Sequence, residues 1–246
     1  MTQMVRVSLR VLGEPIEAEV PMPPARVRLD AVLPLLRQLD DRAVDVAVAK
    51  TEAVRSEKVS CAKGCSACCR SQPVPVTPVE AYALWQLIEN MPESRRTAIR
   101  ENFAENVATL RAENLFDVYM DRPQSIRQED ALPIARRYFA LGLVCPFLTE
   151  DACGIYHDRP FVCRQYLVTS PPEMCKNPFD ESIRGISMPV RFAHAMLDTS
   201  SKFLGVPQAT IPLALALEYV DRHRAELERT FPSEPVFRDA ITKLSE

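Results

Sequence analysis

The residues best suited to chemistry in this chain are its eight cysteines, and four of them fall in the nine-residue stretch CAKGCSACC at residues 61–69. Thiolates are soft donors that bind zinc or iron–sulfur clusters. Cysteines can also form disulfides, act as a redox pair, or fill space as small hydrophobic side chains. The rest of the sequence has to separate these roles.

The other four cysteines lie in a second, proline-rich segment at residues 143–180. The region between the two groups is predicted to be helical, so we expect the fold to bring the two halves of one site together. A metal site needs several sulfur ligands within reach of one centre, and short, turn-rich segments can supply them. The candidate metal ligands are Cys61, Cys65, Cys68, Cys69, Cys145, Cys153, Cys163 and Cys175.

Local features of both groups suit metal binding. Gly64 lets the backbone turn sharply within the first group. Cys68 and Cys69 are adjacent, and at a helix start their side chains would diverge by about 100°. One of the pair can then bind the metal while the other packs or serves a second centre. Cys145 is followed by Pro146, as is the last cysteine of bacterial ferredoxin motifs.

Basic side chains near the cysteines are expected to offset thiolate charge and to lower thiol pKa values. The candidates for this role are Lys63, Arg70 and Arg164. We predict that Asp158 caps a short helix carrying Cys163 and Arg164. A second helix start, Ser170-Pro-Pro-Glu173, is predicted to place Cys175 in a first turn, where free N–H groups and the helix dipole favour a thiolate.

Composition and charge limit the classes of protein that fit. With 246 residues, 47% hydrophobic and 26% charged side chains, the sequence is typical of a globular protein with one large or two small domains. A net charge of -3 does not favour a nucleic-acid partner. The longest apolar run, IPLALALEYV, is too short to cross a bilayer, and the N-terminus lacks a secretory signal pattern. We therefore expect no membrane partner and a cytoplasmic location, where thiols stay reduced and stable disulfides are rare.

Other chemical roles for these cysteines and for the histidines have less support from the sequence. Cys65-Ser-Ala-Cys68 has the C-x-x-C spacing of thioredoxin-like redox pairs, but no βαβ pattern surrounds it. His157, within the second cysteine group, could join the ligands, although a surface or capping role is commoner for such a histidine. His194 and His223 are predicted to be ordinary helix residues.

The choice of metal rests on the donor set. Eight thiols can fill two four-cysteine zinc sites, or one iron–sulfur cluster with thiols to spare. The spacings differ from the paired C-x2-C motifs of common zinc ribbons. The all-sulfur set, the adjacent pair and the Cys145-Pro146 dipeptide favour an iron–sulfur cluster of the [4Fe–4S] type. Zinc is the alternative, and in either case we expect metal binding to be coupled to folding.

Hydrophobic periodicity predicts a mainly α fold, a compact helical domain with cysteine-rich metal-binding loops and a small N-terminal β-hairpin. Alternation between Val5 and Val20, around a Gly-Glu-Pro turn, predicts the hairpin. Helical spacing predicts an amphipathic helix from about Leu29, and Thr77-Pro-Val-Glu80 forms a capping box that starts the next helix. Further helices are predicted at residues 92–115, 128–142, 189–204, 210–229 and 235–245.

The predicted organisation has three parts on one globule. Residues 1–60 form the hairpin and first helix, residues 61–180 the cysteine-cluster metal-binding domain, and residues 181–246 the C-terminal helices. The sequence shows no internal repeat, low-complexity tract or flexible Gly/Ser linker between these parts.

Three motifs follow one another between about residues 61 and 175: C-x3-C-x2-C-C, CPFL and C-x-I-Y-x-x-R-P-x-x-C-R-x-Y. Together they resemble the YkgJ-like cysteine-cluster family, described as a zinc- or iron-chelating domain and distantly similar to flagellin lysine N-methylases. The first motif has one residue more after Cys61 than the commonest family pattern, C-x2-C-x2-C-C. The resemblance implies that seven of the cysteines, all but Cys175, are family cysteines. It also implies that the second motif is completed by Arg159, Pro160, Arg164 and Tyr166.

Three functional classes follow from these motifs. The first is a metal-binding module whose metal stabilises a surface for a protein partner. The second is an Fe–S-dependent modification enzyme, either redox-active or similar to a methylase or demethylase, and the third is a metal-handling protein. A closed four-cysteine site would favour the metal-binding module. An open coordination position or a deep pocket would favour the enzyme, and exposed thiolates would favour metal handling. Nucleotide-binding and hydrolase motifs such as GxGxxG, HExxH and GxSxG are absent, so no catalytic residue is predicted.

Overall fold

The computed structural model describes residues 4–121, 128–179 and 181–244. Within these ranges the fold is mainly α with an N-terminal β-hairpin, so the predicted fold class is confirmed. One hydrophobic core runs through the described elements, from Val7 in the hairpin to Leu244 near the C-terminus. None of the described helices is both long enough and apolar enough to cross a membrane.

The hairpin consists of β1 (Met4–Val11) and β2 (Glu14–Pro21), paired in antiparallel register. Its turn is formed by Leu12 and Gly13, which have φ angles of 50° and 85°. The turn therefore begins one residue before the predicted Gly-Glu-Pro position. Two-residue hairpin loops favour positive φ angles because their twist then matches that of the strands.

The chain leaves the hairpin through a 3-10 turn at Leu29–Val32 and enters α1 (Leu33–Arg55), the amphipathic helix that the spacing predicts. Pro34 lies in the first turn, where its missing N–H costs no intrahelical bond. The buried face of α1 packs against β2. Ser56 ends the helix in the left-handed conformation, and the first cysteine group follows.

The region between the two cysteine groups is helical, as predicted. Gly142 follows the last of these helices with a φ angle of 61°, which agrees with its predicted role as a helix stop. Helix α4 is not predicted from the sequence, because five residues are too few to show a helical period. The helices are α2 (Pro78–Glu89), α3 (Glu93–Ala112), α4 (Phe116–Met120) and α5 (Gln128–Ala140).

The second cysteine group lies on short elements that follow Gly142. The residues that follow the second cysteine group form three helices, as predicted. Residue 245, the end of the last predicted helix, lies outside the described part of the chain. The elements are β5 (Leu148–Thr149), β6 (Ala152–Cys153), α6 (Phe161–Gln165), α7 (Phe192–Leu204), α8 (Ala216–Leu227) and α9 (Ser233–Thr242).

Two short strand pairs attach the N-terminal half to the C-terminal half. β3 (Arg26–Val27) pairs with β8 (Phe231–Pro232), and β4 (Pro75–Val76) pairs with β7 (Ile211–Pro212). Helix α2 packs along α8. The cysteine-bearing segments are therefore held between elements that come from both ends of the chain.

A buried carboxylate connects the start of α2 to the start of α6. Glu80, only 2% exposed, accepts the backbone N–H of Thr77 at 2.9 Å, and the Thr77 hydroxyl accepts the N–H of Glu80 at 3.2 Å. This is the predicted capping box. The other carboxylate oxygen of Glu80 accepts the N–H of Phe161 at 2.8 Å, a long-range bond that the capping box alone does not predict. Glu80 thereby sets the position of the helix that carries Cys163.

Replacing Glu80 with alanine is expected to destabilise the protein by about 2–5 kcal/mol, because two buried N–H groups lose their acceptor. Urea unfolding under reducing conditions measures this. The matched control is Glu93→Ala, an exposed first-turn glutamate of α3, which we expect to cost less than about 1 kcal/mol. Equal losses for the two variants would contradict the role given to Glu80.

A second buried carboxyl group lies on α1. Asp40 is 0% exposed, and its Oδ1 accepts the Gln165 side-chain amide at 2.8 Å. Its Oδ2 has no hydrogen-bond partner among the described residues. Burial raises the pKa of Asp40 to about 7, opposed by the Gln165 bond and the charge of Arg164, while the Asp41 and Glu80 carboxylates raise it further.

Because the pKa of Asp40 is higher in the folded than in the unfolded protein, its contribution to stability is fully present below about pH 4 and is lost as pH rises through about 7. We therefore expect Asp40→Asn to unfold at higher urea concentration than wild type at pH 8, with an upper limit of about 4 kcal/mol, and to differ less at pH 5. The exposed Asp45→Asn variant is the control and should keep the wild-type pH profile. Parallel profiles for wild type and Asp40→Asn would refute the assignment.

Candidate metal centre

The first cysteine group folds as a tight turn followed by a 3-10 helix. The N–H of Cys65 donates to the Ala62 carbonyl at 3.0 Å, and Gly64 has a φ angle of 96°, as expected for a sharp turn. Cys68 and Cys69 lie in the 3-10 helix Ala67–Arg70. All four thiols of this group are free and half-buried.

The second group presents three of its thiols from three different elements and the fourth from the turn before β5. Cys145 precedes β5, Cys153 ends β6 and Cys163 lies in α6. The predicted helix start is present as the 3-10 turn Pro172–Lys176, but Cys175 is the fourth of its five residues and does not lie in a first turn as predicted. Cys175 is only 3% exposed. The thiols of this group are also free.

Backbone hydrogen bonds join the two groups. The N–H of Cys145 donates to the Cys69 carbonyl at 2.7 Å. The N–H of Val168 donates to the Cys61 sulfur at 3.4 Å, and the Gln72 side chain donates to the Cys175 carbonyl at 3.0 Å. The structure therefore brings the two sequence-distant groups side by side, as a shared site requires.

The thiols also interact through their charges. Burial raises the pKa of Cys145 to about 12, with further increases from the Cys153 and Cys68 thiolates. Burial raises the pKa of Cys163 as well, followed by the charges of Cys145, Cys68 and Cys153. Repulsion among close thiolates opposes ionisation, and a bound cation would reverse this effect.

The remaining cysteines show the same mutual influence. Burial raises the pKa of Cys175, and the Cys61, Cys68 and Cys65 thiolates add to the increase. A hydrogen bond with Cys69, followed by burial, raises the pKa of Cys68. Each of the eight cysteines thus interacts electrostatically with at least one other, and Cys68 interacts with members of both groups.

The thiols are gathered together but are not closed into a metal cage. Among the described residues, which include all eight cysteines, no three His, Cys, Asp or Glu side chains are arranged to hold a metal ion as they stand. The chemistry of the donor set nevertheless fits zinc or an iron–sulfur cluster, because the two joined segments carry eight free thiols. Metal binding would require the sulfurs to move closer together, which agrees with coupling of binding to local folding.

The charge of Arg159, which was not among the predicted cations, acts on three of the thiols. The positive charge of Arg159 lowers the pKa of Cys61, Cys68 and Cys153. Overall these pKa values are nevertheless raised, by burial for Cys61 and Cys153, and by the hydrogen bond with Cys69 followed by burial for Cys68. Its guanidinium lies over the Tyr156 ring at 3.8 Å. The family motif includes Arg159, but the residue types alone gave it no distinct role.

Arg164, which we predicted beside the thiols, has a structural role instead. It is 6% exposed, pairs with Asp41, and donates to the carbonyls of His157 and Arg159. The prediction that Asp158 caps α6 is also wrong. Pro160 occupies the N-cap position without a side-chain cap bond, and Asp158 pairs with Arg37 at 3.2 Å.

The remaining residues that were predicted to lie beside the thiols are at the surface of this region. Arg70 pairs with Asp151, and the Lys63 ammonium lies 5.7 Å from the centre of the Tyr156 ring. His157 is exposed and its ring contacts Tyr156 edge to face, so it does not point among the thiols as a ligand would.

A cleft of about 260 Å³ adjoins the loop between Cys153 and Cys163. The cleft is partly open to solvent, and its walls carry both acidic and basic groups. It lies between α1 and the loop that presents Arg159. The lining residues are Asp41, Val44, Asp45, Tyr156, His157, Arg159 and Arg164.

Because Arg164 binds three partners with one planar group, lysine cannot replace it. We expect Arg164→Lys to lose about 2 kcal/mol of stability, measured by urea unfolding of the reduced protein. Arg222→Lys is the matched control, since Arg222 forms an exposed pair with Asp121 and should change stability by less than about 0.5 kcal/mol. Coincident unfolding curves for the two variants would show that the Arg164 contacts are dispensable.

The arrangement agrees with a comparison to known protein families. Residues 60–181, which contain all eight cysteines, match the family described as "CxxCxxCC: Putative zinc- or iron-chelating domain". No significant match was found among curated proteins or among solved structures. Over residues 60–181, just under half of its length, the chain matches the CxxCxxCC family, and this match supports a metal-binding role for the segment.

Proposed function

We propose that this chain is an iron–sulfur protein whose cysteines, taken from both groups, hold a centre of the [4Fe–4S] type. The observation that carries this proposal is that hydrogen bonds join two sequence-distant segments that together carry eight free thiols. Burial, with the charges of neighbouring thiolates, raises the pKa of Cys61, Cys145, Cys163 and Cys175, and a metal centre would relieve that repulsion.

The type and spacing of the donor residues favour iron over zinc. The donors are all sulfur, two of them are adjacent, and Cys145 precedes Pro146 as in ferredoxin motifs. The N–H of Val168 points at the Cys61 sulfur, and N–H bonds to sulfur are among the features that tune iron–sulfur clusters. Zinc is the alternative that the same donor set supports.

The proposed role is that of a metal-binding module in a reducing compartment, which we expect to be the cytoplasm. The thiol segments connect to elements from both ends of the chain, so a bound centre would rigidify the surrounding surface and present it to a protein partner. All eight cysteines are free, a state that requires reducing conditions to persist.

An enzyme is the second candidate, and one observation favours it. The charged cleft of about 260 Å³ opens beside the loop that presents Arg159 to the thiols. A polar substrate in this cleft would lie next to the proposed centre, and the centre would supply electron transfer or substrate activation. Arg159 and His157 would bind and orient such a substrate, while Asp41 and Asp45 would attract a cationic part of it. Metal handling ranks third, because the thiols are half-buried or buried.

Anaerobic purification followed by iron, zinc and acid-labile sulfide analysis tests the proposal. We expect a brown protein with sulfide and iron, and removal of the metal by a chelator should lower the melting temperature by about 5–10 °C. A colourless protein with stoichiometric zinc would replace the iron–sulfur centre with zinc. A protein without metal, unchanged in stability by added zinc or by cluster reconstitution, would refute metal binding altogether.

A further inference from the structure

Strand β1 has one edge that pairs with no other strand in the described part of the chain. Its sheet consists of β1 and β2, and no backbone hydrogen bond joins β1 to any other described element. An edge strand presents a row of free N–H and C=O groups, to which an extended segment of another chain can add as a further strand. The free edge of β1 is therefore a candidate docking surface.

The register of the hairpin identifies the residues that face this edge. In a hairpin with a two-residue loop, the residues that flank the loop form a hydrogen-bonded pair, here Val11 and Glu14. Bonded and non-bonded pairs then alternate along the two strands. The members of the non-bonded pairs direct their N–H and C=O groups away from the hairpin. On β1 these outward-facing residues are Met4, Arg6, Ser8 and Arg10.

The two edges of the hairpin differ in their ability to accept another strand. The outward-facing residues of β2 include Pro15 and Pro21, which have no N–H and cannot donate to a neighbouring strand. Strand β1 contains no proline, and its register with β2 runs without a bulge. Prolines and bulges are among the devices that close the edge of a sheet. The edge of β1 is therefore the one that can be extended.

The side chains of β1 define what an added strand must carry. Arg6 and Arg10 lie on the exposed face, and β1 contains no acidic residue. Arg6 pairs with Glu19, yet its side chain is 67% exposed and has further N–H donors for a second carboxylate. On the other face, Val5 and Leu9 pack against the core but are only half-buried. An added strand would thus need acidic residues on one face and apolar residues on the other.

A second copy of this chain does not meet these requirements. Another β1 would bring two further arginines and no carboxylate, and like charges on neighbouring strands are destabilising. Another β2 has alternating acidic and apolar residues, but Pro15 and Pro21 remove donors from its free edge. The strand that fits the edge of β1 therefore comes from a different protein.

We propose that the free edge of β1 binds an extended segment of a partner protein in which acidic and apolar residues alternate. The backbone of the segment pairs with the outward-facing residues of β1. Its carboxylates bind Arg6 and Arg10, and its apolar side chains cover Val5 and Leu9. The docking surface contains no cysteine, so it goes beyond the proposed metal centre and does not depend on which metal is bound.

Fluorescence anisotropy tests this with the reduced full-length chain and a labelled synthetic peptide, Glu-Val-Glu-Ile-Glu-Val-Glu. We expect saturable binding with a Kd below about 1 mM, and a peptide with Lys in place of Glu should bind at least about tenfold more weakly. Two further peptides carry N-methyl groups on alternate amides, one on the glutamates and one on the apolar residues. Only one of these sets faces β1, so one peptide should lose at least about tenfold in affinity and the other should bind like the parent.

A pair of variants tests the edge from the side of the protein. Ser8→Pro removes an outward-facing N–H of β1 and should weaken peptide binding about tenfold. Glu17→Pro is the matched control, because Glu17 is the register partner of Ser8 and its N–H faces the opposite edge. This control should bind the peptide within about twofold of wild type. Circular dichroism establishes that both variants are folded.

Three results would overturn the proposal: no saturable binding of the peptide by wild type, equal affinities of the two N-methylated peptides, or equal losses in the two proline variants. A dimer in analytical ultracentrifugation that Ser8→Pro dissociates would also overturn it, since a second copy would then occupy the edge. The peptide comparisons use the wild type and decide the question even if a variant does not fold. Metal content affects none of these outcomes, so the metal-binding proposal stands or falls separately.

Discussion

The placement of Cys163 depends on the buried carboxylate of Glu80. An ionisable group with 2% exposure is tolerated only when its oxygens are fully bonded, and Glu80 bonds the starts of two helices, α2 and α6. Burial raises the pKa of Glu80, while its bonds to the N–H groups of Thr77 and Phe161 oppose that increase. The position of Cys163 relative to the core follows from this one side chain, since α6 spans only five residues.

The cysteines themselves lie on turns, 3-10 helices, a two-residue strand pair and the five-residue helix α6 rather than on long helices. Short elements allow the chain to reverse direction between neighbouring thiols, and long helices would separate them by whole turns. The long helices instead form the hydrophobic core against which the short elements pack. Buried Arg164 strengthens that anchoring by holding the carbonyls of the loop before α6.

The sequence predicted the features that depend on local patterns. Alternation predicted the hairpin, and the Thr77–Glu80 capping box predicted the start of α2, because both signals involve residues close in the chain. The capping of α6 was predicted wrongly, since the partner of Asp158 is Arg37, which is distant in sequence. The role of Arg159 was missed for the same reason. That all eight cysteines bind metal stays a prediction.

The bond between Val168 and the Cys61 sulfur also has a consequence for biosynthesis, because its partners are 107 residues apart. The ribosome adds about 5–20 residues per second, so the first four thiols emerge roughly 5–20 s before the segment that covers them. During that interval they are open to oxidation and to whichever metal arrives first. The emergence of the segment around Val168, rather than the appearance of CAKGCSACC, therefore sets the earliest moment at which Cys61 can be sheltered.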